Sequence, residues 1–355
     1  MSTPFRIVLV SLLAIGVLVG GGAVPAAASH NDSACSFPIE ETDATGTNVT
    51  IEEPPEEIVV LDAASAQTIW EIGAEDRVTG MPVREYTAYL EGSEDRTDVL
   101  TAEGTNVEVE TVAALEPDLV IAPNPDFIPE ETTEQLRNAG MTVIQLEFEE
   151  SFEDIYAKTL LIGHIVGECE AADRTATETR EEVEMIRDAV NDRDRPRALY
   201  YFHEFTAGSG TFIADIIETA GAENAASEAG IDGFMPIQSE TIVDTDPDWI
   251  VHPTTEGAFD PDAEPFPKLN AVQEEQIVAV DEDLIGQAGP RVVVPLRTMA
   301  EAFHPDAFES TPEPTPEPTP EPTPTPTPEP EDQDGLGVIV ALAALSGVLV
   351  WRRVL

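Results

Sequence analysis

The sequence predicts an α/β protein with two lobes, each built on a mainly parallel sheet, bridged by one long α-helix. Two observations predict this fold. Short apolar strands alternate with helices in two separate stretches, residues 35–150 and 196–309, which is typical of parallel sheets covered on both faces. Residues 151–195 between them show no strand pattern and carry one apolar stripe at helical spacing.

The first stretch, residues 35–150, repeats the order strand, helix, strand, helix. Its predicted strands are short and largely apolar, and they lie at 58–61, 77–81, 119–122 and 142–146. Two of the helices between them are predicted to end at glycines, Gly73 and Gly140. Continuously apolar strands in this order indicate a parallel sheet that is buried on both faces.

Residues 151–195 form the predicted connector. A first helix is expected in SFEDIYAKTLLIGHIVG, and a longer one follows. Small or apolar side chains recur along the longer helix in alternating steps of four and three residues, at Ala172, Ala176, Thr179, Val183, Ile186 and Val190. This stripe predicts a helix of about seven turns. Because no strand interrupts it, the helix is expected to connect the lobes rigidly.

The second stretch, residues 196–309, resumes the alternation. Strands are predicted in RALYYFHEF, DWIVHPT and QIVAVDEDL, and a helix in GTFIADIIETAGAEN is predicted to end at Gly221. The last segment, VVVPLRTMAEAFHPDAF, is interpreted either as a closing helix or as a strand that runs into one.

The two ends of the chain predict its location. Residues 1–28 are typical of a signal peptide, although their apolar run is long enough to cross a bilayer. Residues 310–334 alternate proline with threonine or glutamate, which predicts an extended stalk. Residues 335–351 lack charge and precede Arg352 and Arg353, which the positive-inside rule places in the cytoplasm. We therefore expect a domain on the extracellular face of the cell membrane, anchored by its C-terminal segment.

Acidic side chains dominate the composition. The chain has 17 basic and 70 acidic residues and a formal net charge of −53, with the carboxylates spread along its length. Such a charge excludes nucleic acids and anionic lipid surfaces as partners. At molar salt the Debye length falls to about 3 Å, so the self-repulsion is largely screened. This composition is typical of a protein from an extreme halophile.

The chain contains two cysteines, Cys35 and Cys169. In an extracellular protein a single disulfide between them is the default expectation. Their spacing matches no zinc motif, and two thiols alone make a zinc site improbable.

Five segments resemble one known family in the same order along residues 50–308. They are PPEEIVVLDAASAQTIWEIGAEDRVTGM, VEVETVAALEPDLVIAPN, GSGTFIADIIETAGAENAA, SETIVDTDPDWIV and GPRVVVPLRTMAEAFHPDAF. The chain resembles the class III solute-binding proteins of ABC importers, the family of vitamin B12 and ferric-siderophore receptors. The resemblance implies two α/β lobes on one long helix, a ligand held between them, and delivery of that ligand to a permease in the cytoplasmic membrane. The tail is similar to an archaeal surface-sorting signal, except that DGLG stands where the signal has Pro-Gly-Phe.

Candidate ligand-binding residues follow the predicted strands, because open α/β sheets bind ligands beyond the carboxyl ends of their strands. With one aromatic and one arginine from other loops, the candidates are Tyr86, Tyr89, Asn124, His203, Phe205, Phe234, His252 and Arg291. Aromatic side chains suit a large, flat, amphipathic ligand. The resemblance places Tyr86 or Tyr89, and Phe234, at aromatic positions that line the cleft of B12 receptors. Ordinary loop packing is the alternative for each, and for Arg291 a structural contact.

The resemblance also implies one permease-docking glutamate on each lobe, and by position these are Glu130 and Glu240. The tyrosine and phenylalanine candidates favour a corrinoid, and a ferric siderophore or heme remains the alternative. The shortage of basic residues weighs against anionic siderophores. We expect a monomer that needs no cofactor.

Other functional classes find less support. GSGT at 208–211 lacks a partner histidine and acid in any recognised catalytic arrangement and is interpreted as a turn and helix cap. A bare-metal site would need ligands from both lobes, and residues 35–150 contain no histidine. The sequence therefore predicts neither an enzyme nor a metal-capture protein. A surface adhesion or structural protein would fit the stalk but not a two-lobed cleft.

Overall fold

The computed structural model describes residues 35–102, 104 and 106–308. The predicted signal peptide, stalk and C-terminal span lie outside the described residues. Within the described part, no helix is both long and apolar enough to span a bilayer. The strands there are β1 (Ile39–Thr42), β2 (Asn48–Ile51), β3 (Ile58–Val60), β4 (Val78–Met81), β5 (Thr97–Asp98), β6 (Leu119–Ala122), β7 (Val143–Gln145), β8 (Arg197–Tyr200), β9 (Phe205–Ala207), β10 (Glu223–Asn224), β11 (Phe234–Pro236), β12 (Trp249–Pro253) and β13 (Ile277–Val280).

Helices alternate with these strands, and most of them begin at a polar or extended capping residue. They are α1 (Ala63–Glu71), α2 (Val109–Ala114), α3 (Glu130–Asn138), α4 (Phe152–Val166), α5 (Cys169–Val190), α6 (Phe212–Thr219), α7 (Ala225–Glu228), α8 (Ser239–Thr245), α9 (Asn270–Gln273), α10 (Glu282–Ile285), α11 (Val293–Phe303) and α12 (Pro305–Phe308). The last long segment forms α11 and α12, interrupted at His304, and contains no strand, so the alternative of a strand running into a helix is wrong.

The first lobe contains a five-stranded sheet in the order β5-β4-β3-β6-β7. All of its neighbouring strands are parallel, with Ile58 of β3 opposite Leu119 of β6. The strands β3 and β6 are buried along their whole length, as their continuous apolar sequences predict. An antiparallel pair, β1 and β2, precedes this sheet. Because the strands are parallel, all their carboxyl ends lie at one edge of the lobe.

The second lobe contains a four-stranded parallel sheet in the order β10-β8-β12-β13 and a separate antiparallel pair, β9 with β11. The prediction of one strand across RALYYFHEF is wrong. Strand β8 ends at Tyr200, and the chain reverses at His203 and Glu204, whose φ angles are +46° and +69°. Two successive left-handed residues make a tight turn, which starts β9.

Helices α4 and α5 connect the lobes. The buried side chains of α5 include all six residues of the predicted stripe, so that prediction is confirmed. Ala172 packs in the core of the first lobe, whereas Val183 and Val190 pack in the core of the second. With 22 residues, α5 is about 33 Å long. The two parallel sheets on helical connectors confirm the predicted α/β fold class.

A disulfide joins Cys35 to Cys169 at the first residue of α5, with Cα atoms 5.6 Å apart. This bond, which the sequence predicted, ties the start of the described chain to the helical connector.

The two lobes share one sequence and structural repeat. VETVAALEPDLVIAP forms α2 and β6, and SETIVDTDPDWIVHP forms α8 and β12. In both copies a left-handed residue separates helix from strand, Glu116 with φ +49° and Asp246 with φ +35°. In both, the next aspartate accepts backbone N–H bonds from the chain entering the neighbouring strand: Asp118 from Glu57 at 3.0 Å, and Asp248 from Arg197 at 2.8 Å.

Candidate binding cleft

A cavity of about 300 Å³ lies between the lobes at the carboxyl ends of the first sheet. The segments that follow all five strands of the first sheet supply most of its first-lobe lining, as expected for an open parallel sheet. The second lobe supplies Phe212 at the start of α6, Phe234 of β11 and the segment Gly286–Ala288. The residues from both lobes therefore enclose one space, which we call the inter-lobe cleft.

Aromatic side chains line the cleft from both sides. Tyr86 and Phe127 belong to the first lobe and are 40% and 67% exposed, and Phe234 of the second lobe is 42% exposed. Phe148 and the buried Phe212 complete the aromatic lining. Exposed aromatic rings that converge on one cavity are typical of a ligand site, because they bury area with little loss of side-chain entropy.

Charged and polar groups lie elsewhere in the lining. Lys158 of α4 is 6% exposed, and its Nζ lies 2.8 Å from Oε1 of Glu149. Burial raises the pKa of the Glu149 carboxyl, and the Lys158 charge partly offsets that rise. Asp62 Oδ1 accepts the N–H of Ser65 at 2.8 Å and so caps α1. Among the described residues, neither Asp62 Oδ2 nor Ser65 Oγ has a hydrogen-bond partner, and both atoms are buried.

Three of the predicted ligand-binding residues line the cleft: Tyr86, Asn124 and Phe234. Asn124 is buried, and its Oδ1 accepts the N–H of Asp126 at 3.0 Å, which fixes the loop after β6. The structure thus brings together an aromatic from each lobe and one amide.

Tyr89 and Arg291 instead take part in contacts that join the lobes. The Tyr89 hydroxyl donates to Gln287 Oε1 at 2.6 Å, and Gln67 Nε2 donates to the Tyr89 hydroxyl at 2.8 Å. The Arg291 guanidinium lies 5.4 Å from the Tyr89 ring centroid, and its Nε donates to Glu71 at 2.5 Å. Of the two roles expected for Arg291, these contacts match the structural one. We call these five residues the inter-lobe network.

The remaining three candidates lie outside the cleft lining. The His203 ring packs on Phe202 at 4.6 Å between centroids, and the His252 ring packs on Phe259 at 5.0 Å. The side chain of Phe205 is 46% exposed on β9. Within residues 35–102, 104 and 106–308, no histidine lines the cleft and no group of three or more His, Cys, Asp and Glu side chains could hold a metal ion.

Sequence reasoning missed Phe127, Glu149, Lys158 and Gln287. A signal for two of them was present. Glu149 follows β7, and the rule that ligands bind beyond the carboxyl ends of strands (the strand-end rule) applies to it as it does to Asn124. Lys158 lies three residues after Ile155 and four before Ile162, on the buried face of α4, where an unpaired lysine is rare. Nothing in the sequence indicated Phe127 or Gln287.

Both predicted docking glutamates are exposed, Glu130 at the start of α3 and Glu240 in the first turn of α8. They do not occupy equivalent places in the two lobes, because α3 follows β6 whereas α8 precedes β12. The repeat makes Glu110 the counterpart of Glu240. Glu110 is exposed in the first turn of α2, and within the described part of the chain neither Glu110 nor Glu240 has an ion-pair or hydrogen-bond partner for its carboxylate.

The model of the periplasmic binding protein family matches residues 58–284, which is more than half of the chain. The chain belongs to the periplasmic binding protein family. Members of this family bind substrates and are not catalytic. The match includes the five-stranded sheet, the helical connector and most of the second lobe.

Two relatives of this periplasmic binding protein show what it is similar to. A cobalamin-binding protein of Halobacterium salinarum is 36% identical over 315 residues, covering 84% of each chain. An uncharacterized ABC transporter substrate-binding lipoprotein of Bacillus subtilis, YvrC, is 28% identical over 84% of this chain and 97% of its own.

Solved structures show the same fold. The periplasmic heme-binding protein RhuT from Roseiflexus sp. RS-1 superimposes with a TM-score of 0.64 at 24% identity, over 71% of this chain and 99% of RhuT. The heme binding protein HmuT gives a TM-score of 0.65 at 23% identity, over 78% of this chain and 93% of HmuT. At these identities the likeness is one of fold.

Proposed function

We propose that this protein captures a corrinoid, cobalamin or cobinamide, in the inter-lobe cleft and delivers it to the permease of an ABC importer. The observation that carries the proposal is the lining of the cleft, in which Tyr86 and Phe127 of one lobe and Phe234 of the other converge on one cavity. Such a lining suits a broad, amphipathic ring system. The relative named as cobalamin-binding supports this choice.

Heme and ferric siderophores are the alternative ligands. Heme has carboxylates, and many ferric chelates are anionic. Within the described lining of the cleft the charged side chains are Asp62, Glu149 and Lys158, and their formal charges sum to −1. This negative charge disfavours an anionic ligand. Tyr86 is the one described phenol or imidazole there that could ligate heme iron. The structures named as heme-binding support heme, but they share less identity with this chain than the cobalamin-binding relative does.

The small volume of the cleft leads us to expect that some of its side chains move when the ligand binds. Its volume, about 300 Å³, is at the lower end of the range for ligand pockets, and a corrinoid is larger. The exposed rings of Phe127 and Phe234 stand at the rim, where rotamer changes cost little. We expect these rings to move apart and cover one face of the ligand.

Delivery to a permease requires a docking surface on each lobe. Glu240 and either Glu110 or Glu130 would pair with basic residues of the permease. The structural repeat favours Glu110, because pseudo-equivalent lobes present equivalent carboxylates to the two halves of a symmetric partner. Changing Glu110 and Glu240 together to glutamine should abolish uptake by cells while leaving corrinoid affinity unchanged. Loss of uptake in Glu130→Gln alone would instead indicate that Glu130 and Glu240, the pair expected from the sequence, dock the permease.

We place the protein on the extracellular face of the membrane. The sequence of residues 1–28 and 335–351 supports export and anchoring, and the Bacillus subtilis relative is named a lipoprotein. A tether raises the concentration of a binding protein near its permease without any new contact. We propose that residues 310–334 form this tether.

The deciding experiment is a titration of the purified protein in molar KCl by isothermal titration calorimetry. Cobalamin, cobinamide, heme and a ferric hydroxamate are each titrated separately. Saturable binding of one corrinoid per chain supports the proposal. Binding of heme or of the ferric chelate alone would overturn the ligand assignment. No binding of any of the four would favour the surface-protein alternative.

A further inference from the structure

The polar groups of the cleft form one cluster that the aromatic contacts do not use. We call Asp62, Ser65, Glu149 and Lys158 the cleft floor. All four line the cavity. Lys158 and Ser65 are 6% and 1% exposed, so both are buried residues and not ordinary surface side chains.

The hydrogen bonds of the cleft floor are unequally satisfied. Lys158 is paired with Glu149 at 2.8 Å, so its charge is compensated within the protein. Asp62 Oδ1 is occupied by the N–H of Ser65, whereas Asp62 Oδ2 and Ser65 Oγ have no partner among the described residues. Buried polar atoms normally have partners, and exceptions often mark functional positions. Ser65 is nine-tenths buried, lines the cavity and presents such an atom.

The charges of the floor determine which ligand groups it accepts. Two carboxylates and one ammonium leave a net charge of −1, and the positive end of α1, which begins at Ala63, is already capped by Asp62. Arg84 and Arg291 do not line the cleft, and they are paired with Asp98 and Glu71. A ligand carboxylate at the floor would face uncompensated negative charge in a poorly solvated site. A neutral N–H donor would find acceptors.

We propose that Asp62, Ser65 and Glu149 form an acceptor site for neutral amide groups at the periphery of the ligand, and that this site selects amidated corrinoids over corrinoids bearing a free carboxylate. The inference rests on the proposed corrinoid function and adds its specificity. Corrinoids carry several primary amides around the ring, and each can be replaced by the corresponding acid. The protein would thereby discriminate finished corrinoids from their acid precursors.

The test compares cobalamin with its monocarboxylic acids, in each of which one propionamide is hydrolysed. Affinities are measured by isothermal titration calorimetry in molar KCl on the full chain. For at least one of the isomers, we expect the wild-type protein to bind the acid at least tenfold more weakly than cobalamin. In Asp62→Asn this ratio should fall to threefold or less, because asparagine keeps the cap of α1 but removes the charge. Glu149→Gln should lower the ratio further, because it leaves Lys158 unpaired.

Two controls separate the outcomes. Glu178→Gln removes one charge from an exposed residue of α5 that does not line the cleft, and it should leave the ratio unchanged. Ser65→Ala should weaken cobalamin and its acids equally, by about five- to tenfold, because it removes a neutral partner. Thermal unfolding curves identify any variant that does not fold. Equal affinity of the wild-type protein for cobalamin and all the acids, or an unchanged ratio in Asp62→Asn, overturns the specificity site alone. Absence of cobalamin binding to the wild-type protein overturns the proposed function and the site with it.

Discussion

Truncation of Phe234 to alanine should weaken ligand binding by an amount that follows from the exposed area of this side chain. The side chain is 42% exposed, and it lines the cleft. An aromatic side chain presents about 200 Å², so a ligand that covers the exposed part of Phe234 removes roughly 80 Å² from water. At about 25 cal/mol per Å² this contact contributes about 2 kcal/mol. The dissociation constant for cobalamin should therefore rise by about 30-fold in Phe234→Ala.

The measurement is an isothermal titration of each variant with cobalamin in molar KCl. Phe205→Ala is the matched control, because Phe205 is 46% exposed on the neighbouring strand β9 yet does not line the cleft. We expect that control to change the dissociation constant by less than threefold. Equal losses in the two variants would show that the antiparallel pair of β9 and β11 as a whole, and not the cleft, binds the ligand. Unchanged affinity in Phe234→Ala would refute the assignment of the cleft.

Four further predictions concern stability. Cys35→Ser with Cys169→Ser should lower the free energy of unfolding by up to about 5 kcal/mol, given the sequence separation of 134 residues; denaturant titration checks this. Burial raises the pKa of Asp215, so the unfolding temperature of the wild type relative to Asp215→Asn should fall as pH rises above about 4. Gln287→Ala should lower the free energy of unfolding by about 1–3 kcal/mol, because the Tyr89 hydroxyl loses the acceptor of its proton. The unfolding temperature of the wild type should rise from 0.1 M to molar KCl because the net charge of −53 becomes screened.

Each of these four has an opposite outcome that would count against its reasoning. Unchanged stability without the disulfide would mean that the unfolded chain is already compact. A pH dependence that Asp215→Asn does not alter would assign the titration to another group. Full stability of Gln287→Ala would mean that the inter-lobe network contributes little. Falling stability with added salt would show that attractive pairs, and not repulsion, dominate the electrostatics.

Periodicity made the fold predictable where one face of an element is buried. Every residue of the stripe in α5 is buried because a helix that bridges two cores presents the same face to both. The strand predicted at 119–122 is confirmed residue for residue, since β6 is central and apolar throughout. The turn at His203 and Glu204 was not predictable, because neither residue is a glycine, the residue type that usually marks a left-handed turn, and the backbone hydrogen bonds of the two residues are to the distant residues Ala258 and Ile237.

The cleft was predictable only in part, because the strand-end rule names loops and not their partners. In the first lobe the rule selected the loops that contain Tyr86 and Asn124, and both side chains line the cavity. In the second lobe the N–H of His203 donates to the carbonyl oxygen of Ala258, and His252 packs on Phe259, so segment 254–259 contacts both histidines. The second lobe contributes β11 and Gly286–Ala288 to the cleft in their place.

Gln287 couples ligand binding to the orientation of the lobes. It lines the cleft, and it also accepts from Tyr89 and donates to the carbonyl oxygen of Tyr86 at 2.8 Å, so one side chain of the second lobe holds two tyrosines of the first. A ligand in contact with Gln287 therefore meets a group whose position depends on how the lobes are joined. Such a ligand shifts the equilibrium between two orientations of the lobes only as far as its binding free energies for the two orientations differ. The hydrogen bonds of the inter-lobe network are formed in this orientation of the lobes. A ligand that fits this orientation therefore binds without breaking them, whereas a ligand that requires separated lobes binds more weakly by the free energy of breaking them.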